Sequence, residues 1–261
     1  LNMPMIVPLN YSGYNPLQFL EGTSTQELLD RYYWKHGRYI KGKDRNLDLY
    51  TMALATDIIQ DYHQPDVMLV KMCDLDTVRH IHGIKNDFVK EQLRKHDEEL
   101  GVLLESVKRY GDYENTNFVV LGDHGQQDIT KTLNMNVVLK ENGFIRTDEN
   151  GKLIDYDAYC HSVSLSAWIQ LKNPEDKEMH DKVYKFLLDL KDDPTYNIGY
   201  VFTKQEVKDQ YGLEGPLDFV IEGKEPMAFG TTLRELDFFR VYLPEGQHAN
   251  KASHGHLPFR D

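Results

Sequence analysis

Three short segments concentrate side chains able to bind metal ions. The first is Asp74-Leu75-Asp76-Thr77-Val78-Arg79-His80-Ile81-His82-Gly83. Asp76 and His80 are four apart, so one helical turn puts a carboxylate and an imidazole on one face. That pair suits zinc, or manganese where more oxygen ligands join. The second is Gly122-Asp123-His124-Gly125, two candidate ligands between glycines that permit a sharp turn. The third, Ser253-His254-Gly255-His256, offers two imidazoles, and spacing alone does not choose between them. Each segment has a structural reading too: a helix cap at Asp76, a tight turn, a solvated tail. Taken together they hold at least two carboxylates and three imidazoles. A single catalytic zinc typically takes three protein ligands. Two ions about 4 Å apart use this set better, and such a pair clamps the attacking and leaving oxygens in phosphoryl transfer.

The elements that must position these residues follow from periodicity. Pro4, Pro8, Gly13, Pro16 and Gly22 make residues 1–25 an ordered loop wrapped on a core. Ser24 or Thr25 can cap a short helix reaching about His36. Leu47, Tyr50, Leu54, Ile58 and Tyr62 recur at helical spacing within 44–62. Val67 to Met72 and Phe118 to Leu121 read as buried parallel strands, each followed by a ligand-bearing segment. Between them the pattern predicts a long helix from about Asn86 to Tyr110, with Phe88, Leu93, Leu100, Leu103, Leu104 and Val107 inward. Further helices are expected at 134–141, 175–190 and 203–210, and strands at 163–171, 217–221 and 227–229. Helix, strand, polar loop, helix, strand, polar loop implies an α/β sheet with its chemistry at strand ends. No internal repeat is present, and one compact domain over 1–261 is expected.

Composition narrows the classes. The chain has 261 residues, 40% hydrophobic and 28% charged, with two cysteines, which excludes a disulfide scaffold and a wholly disordered chain. Asp and Glu number 42 against 30 Lys and Arg, a formal net charge of -12. A surface for sequence-independent nucleic-acid binding is therefore not expected. No apolar run reaches the roughly 20 residues that cross a bilayer. Cys73 and Cys160 read as structural thiols. Localisation stays open between cytoplasm and bacterial envelope or exterior.

Asp76-x-x-x-His80-x-x-Gly83, then Asp123-His124-Gly125, then His254-Gly255-His256, in that order, resemble the motifs of the alkaline phosphatase superfamily. The nearer likeness is to its type I phosphodiesterase/nucleotide pyrophosphatase family, over roughly residues 45–261. The resemblance implies an alkaline-phosphatase-like three-layer sandwich, a central, mostly parallel sheet flanked by helices. It implies two divalent ions, zinc or alternatively manganese. Asp76, His80 and His254 would hold one, and Asp123 and His124 part of the other. It also implies a Thr or Ser nucleophile, and one more Asp, on a segment upstream of the first motif. Residues 1–44 offer no hydrophobic strand ending in Asp, and Thr23, Ser24 and Thr25 read as a helix cap. The expectation is an N-terminally incomplete catalytic domain, inactive alone, partnered by that upstream segment of the same protein.

Three positions depart from the family pattern. Arg79 stands where Gly is frequent, His82 where an aromatic is usual, and His256 where Tyr or Phe is common. These bear on the substrate, and Arg79, His82 and His256 are the expected substrate contacts. The expected reaction is hydrolysis of a small phosphate ester, a phosphodiester or nucleotide pyrophosphate. Its ligands must be deprotonated, so it fails in acid. Phosphomonoesterase, phosphonate hydrolase and phosphomutase chemistry share the ligand set. A noncatalytic metal-stabilised binding domain is the reading from a different class.

Overall fold

The computed structural model describes residues 20–22, 24–41, 46–224, 227–233, 239–241 and 250–257. Most of the loop expected at 1–25 and part of the C-terminal polar stretch fall outside them. The chain divides into two compact units, 1–78 with 85–121, and 79–84 with 122–261.

The first unit is helical. After an irregular helical stretch at 26–40 come α1 (Leu47–Tyr62), α2 (Asp74–His82, of which 74–78 belong here) and α3 (Asp87–Tyr110). Asn46 and Asn86 cap α1 and α3 by accepting the backbone N–H groups of Leu49 and Val89. Tyr50, Leu54 and Ile58 of α1 pack with Leu28, Tyr32 and Tyr33 in one apolar cluster.

Several expectations are corrected here. Thr25 precedes the first helical turn, but its side chain makes no cap hydrogen bond. On α3, Phe88 and Leu93 are exposed, and the buried residues are Val89, Gln92, Ser106 and Val107. The apolar stripe of a 24-residue helix is wider than the face it buries. Residues 67–72 and 118–121 are not strands, and Leu69 is 93% and Leu121 78% exposed. A strand needs a neighbour to satisfy its backbone, and no described residue pairs with either segment.

Asp57 ties two parts of this unit together. Its Oδ2 accepts from Lys35 Nζ at 2.5 Å and His36 Nε2 at 2.7 Å. Burial alone would raise this carboxyl, but the two hydrogen bonds hold it below the usual carboxylate range. The folded value lies below the unfolded one, so this contribution is present above about pH 4 and is lost as pH falls through the folded value. Asp57→Asn should therefore lower stability at pH 7 by about 1–2 kcal/mol. The difference from wild type should close towards pH 2, measured by urea unfolding at both pH values.

The second unit holds the sheets. The strands are β1 (Gln127–Asp128), β2 (Lys131–Asn134), β3 (Ile145–Thr147), β4 (Leu153–Tyr156), β5 (Ala158–Ser162), β6 (Ser166–Leu171), β7 (Ile198–Thr203), β8 (Phe219–Gly223), β9 (Met227–Gly230), β10 (Phe239–Val241) and β11 (Ala252–Ser253). The helices are α4 (Met135–Glu141), α5 (Lys177–Asp192) and α6 (Lys204–Tyr211). The last is capped by a reciprocal Thr203–Glu206 box.

The expected mostly parallel sheet is overturned. The largest sheet has the order β5-β6-β8-β7, and every pair in it is antiparallel. Among the described residues only β2 and β9 pair in parallel. The reason is local: β5 and β6 are joined by three residues, 163–165, and so short a link reverses the chain instead of carrying it across. Alternation then sorts the side chains. Ala167, Ile169, Leu171, Phe219 and Ile221 face a core shared with Val138 and Leu139 of α4 and Val183 and Leu187 of α5. Trp168, Phe202 and Val220 face the other way, against Val207 of α6. Among the described residues no helix is long and apolar enough to cross a membrane.

Candidate metal centre

The first motif, placed by the sequence pattern in a polar loop, lies on helix α2. Asp76 lies in its first turn and His80 one turn later. Gly83 ends the helix in the left-handed region, at φ +88, and its N–H donates to the Arg79 carbonyl. A Cβ there would lie 2.9 Å from Asp128 Oδ1, the same oxygen that accepts the Ile84 N–H at 2.8 Å. Asp128 was not singled out from sequence. It lies in β1, three residues after the glycine of the Asp-His-Gly motif.

In the second unit the three motifs meet through β1 and β11. These short strands pair antiparallel, Gln127 with Ser253 and Asp128 with Ala252. The pairing brings the residues just before β1 beside those just after β11. His80 is tied to the same place by backbone and side chain. Its carbonyl accepts the Lys251 N–H at 2.6 Å, and its Nδ1 lies 2.6 Å from the Ala252 carbonyl. The outcome is a group of three imidazoles. The His254 ring centroid is 5.1 Å from that of His80 and 3.8 Å from that of His124. Asp123 Oδ1 is 3.6 Å from His124 Nε2.

The hydrogen bonds set the tautomers. A carbonyl oxygen only accepts, so His80 Nδ1 carries the proton toward Ala252, and His124 Nδ1 carries one toward Gly125 at 3.1 Å. In the neutral ring Nε2 then carries the lone pair, the arrangement a metal-binding imidazole requires. The donor set of the motifs fits a divalent ion.

His256 Nδ1 bonds the Leu257 carbonyl, and the Leu257 N–H donates to the buried Glu222. Of the two imidazoles that spacing left open, His254 is the one whose ring lies against those of His80 and His124. Arg79 and His82 are half-buried near the end of α2, and Arg79 Nε is buried with no hydrogen-bond partner among the described residues. Cys160 is fully buried, and burial pushes its thiol well above the ordinary range, as suits a packing residue. A surface depression of about 450 Å³ lies beside Thr132, Asn134, Ser164 and Thr231. It includes none of the imidazoles, so the chemistry is assigned to the imidazoles, not to this depression.

The family model described as type I phosphodiesterase/nucleotide pyrophosphatase matches residues 9–252. The chain belongs to this family. It is a family of hydrolases within the alkaline phosphatase superfamily. No curated protein matches the sequence.

Solved structures agree in fold. Phosphonoacetate hydrolase from Sinorhizobium meliloti 1021, in complex with phosphonoformate, aligns with a TM-score of 0.52 at 19% identity, over 81% of this chain and 48% of that one. Murine ectonucleotide pyrophosphatase/phosphodiesterase 5 aligns with a TM-score of 0.54 at 17% identity, over 82% of this chain and 50% of that one. The human counterpart gives 0.51 at 18% identity, over 79% and 47%. This member of the phosphodiesterase/nucleotide pyrophosphatase family spans about half the length of the solved structures it matches.

Proposed function

We propose that this chain carries most of the metal ligands of a phosphate-ester hydrolase acting on a phosphodiester or nucleotide pyrophosphate. The observation that carries this reading is the meeting of His80, His124 and His254. On the motifs, Asp76, His80 and His254 are assigned to one ion and Asp123 and His124 to a second. Residues 1–261 are read as part of a single catalytic domain. A Thr or Ser on a segment outside these residues is the proposed nucleophile. Bound zinc, or manganese, would lower the pKa of a coordinated hydroxyl or water and neutralise charge developing on oxygen.

The chain's own groups do the rest. The Ala252 and Gly125 carbonyls accept from His80 and His124 Nδ1 and so orient both rings, with Nε2 the ligand atom of each neutral ring. Arg79, with an unsatisfied Nε, is assigned to an anionic group of the substrate, and His82 and His256 to its remainder. The charge of -12 disfavours a polyanion and leaves a small ester as the substrate class.

The test is hydrolysis of an aryl phosphodiester and an aryl phosphomonoester by the full gene product with added zinc. Preference for the diester supports the proposal, and preference for the monoester moves the protein to the monoesterase reading. Stoichiometric zinc binding without turnover on either would favour the noncatalytic domain. Robust turnover by residues 1–261 alone would overturn the external nucleophile.

A further inference from the structure

A buried carboxylate on α1 closes the start of the helix that carries Asp76. Asp48 is 1% exposed. Its Oδ1 accepts the Cys73 N–H at 2.6 Å, and its Oδ2 accepts the Asp74 N–H at 3.0 Å. Oδ2 also lies 2.8 Å from Nε2 of His96 on α3. These residues all belong to the first unit.

The first N–H groups of a helix have no partner within it. A Ser, Thr, Asp or Asn just before the helix normally supplies one, but the residue before α2 is Cys73, a poor acceptor. Asp48 fills that role from another helix, and its charge is favoured at the positive end of α2. His96 supplies a third hydrogen bond to a carboxylate that burial would otherwise penalise. The first helical bonds of α2, from the Thr77 N–H and hydroxyl to the Cys73 carbonyl, hang on the same residue.

Glu99 lies one turn beyond His96, and one ligand atom each from Asp48, His96 and Glu99 fall within 4.8 Å of one another. A cation site is the other reading of this cluster. Both Asp48 oxygens already accept backbone N–H groups, and the zinc stoichiometry of His96→Gln separates the two readings. Burial and then the Asp48 charge push the Glu99 carboxyl upward.

We infer that Asp48, held by His96, is a positioning residue that fixes the first turn of α2 and so places Asp76 for metal binding. The inference rests on the metal reading proposed above. Without Asp48 two partly buried N–H groups lose their acceptor, the first turn frays, and the Asp76 carboxylate is no longer held.

The experiment titrates zinc into the full chain against a chromophoric chelator, for wild type and for Asp48→Asn, Asp48→Ala, His96→Gln and His254→Ala. Amide hydrogen exchange is followed in parallel. Asp48→Asn should weaken zinc binding about 10-fold, the lower end for a residue that orients a ligand. Asp48→Ala should weaken it further, because it retains neither acceptor. Exchange should quicken over 73–78, with the rest of the chain protected as before. If Asp48→Ala does not fold, the Asp48→Asn and His96→Gln results decide. Wild-type zinc affinity in Asp48→Asn, with His254→Ala weakened, would overturn the positioning role and leave the metal reading standing. Wild-type affinity in His254→Ala would overturn the metal reading and the inference with it. Loss of one whole zinc equivalent in His96→Gln would make the cluster itself a metal site and overturn the positioning role.

Discussion

Replacing His254 with alanine should lower zinc affinity about 100-fold, the effect of removing roughly one quarter of a typical zinc-binding free energy. His256→Ala should leave the affinity unchanged. The contrast is sharp because the two residues are separated only by Gly255 and are chemically identical. His254 follows β11, whose pairing with β1 sets its ring against those of His80 and His124. The ring contacts alone make the contrast, since His256 Nδ1 bonds the next carbonyl, that of Leu257, just as His124 Nδ1 bonds that of Gly125. Competition with a chromophoric chelator measures both variants. An affinity loss in His256→Ala equal to that in His254→Ala would contradict the assignment. In the full gene product, turnover should fall with zinc occupancy in the first variant, whereas the second should change substrate preference.

Gly255→Ala should have a comparable effect on metal binding without removing any ligand. Gly255 has φ +94, in the region that costs a residue with a Cβ about 1–2 kcal/mol. Space is the stronger constraint, since an added Cβ would collide with the Val163 carbonyl oxygen. That oxygen belongs to backbone between β5 and β6, so a side-chain rotation cannot relieve the clash. The segment on both sides is fastened as well. The His254 carbonyl accepts the Leu165 N–H at 3.1 Å, and the Gly255 carbonyl accepts the Ser166 hydroxyl. Relief therefore requires the 253–256 segment to shift, and His254 shifts with it. We expect a stability loss of at least about 2 kcal/mol and zinc binding weakened to the level of His254→Ala. Calorimetric unfolding and the same chelator competition test this. A variant with wild-type stability would show that the close approach is not maintained in solution.

The ligand motifs were readable without any coordinates. Carboxylates and imidazoles at strand and helix ends, with glycines beside them, are set by covalent spacing, and spacing survives whatever the rest of the chain does. The i, i+4 relation of Asp76 and His80 needed only one turn of helix, and α2 supplies it. Helices α3 to α6 were also legible, because their apolar residues recur at a period that local geometry fixes. Gly143 and Gly212 close α4 and α6 at positive φ, where glycine is the residue of choice.

What periodicity does not encode is the partner. Val67 to Met72 and Phe118 to Leu121 have the composition of buried strands, yet a run of apolar residues does not name the strand beside it. Direction in the sheet was lost for the same reason, since the short link at 163–165 decides it and the apolar residues of β5 and β6 do not. Asp48 gave no signal as a single acidic residue in a helix. Its role exists only because folding buries it against the Cys73 and Asp74 N–H groups, 25 and 26 residues away.

By itself, then, the sequence determined which residues have the chemistry of metal ligands and the local turns that carry them, because those depend on side-chain type and short-range geometry. The tertiary structure alone decided that the main sheet is antiparallel, that His254 and not His256 joins His80 and His124, and that Asp48 closes α2. Each of these depends on hydrogen bonds or packing between residues far apart in the chain, whose formation only the folded chain fixes.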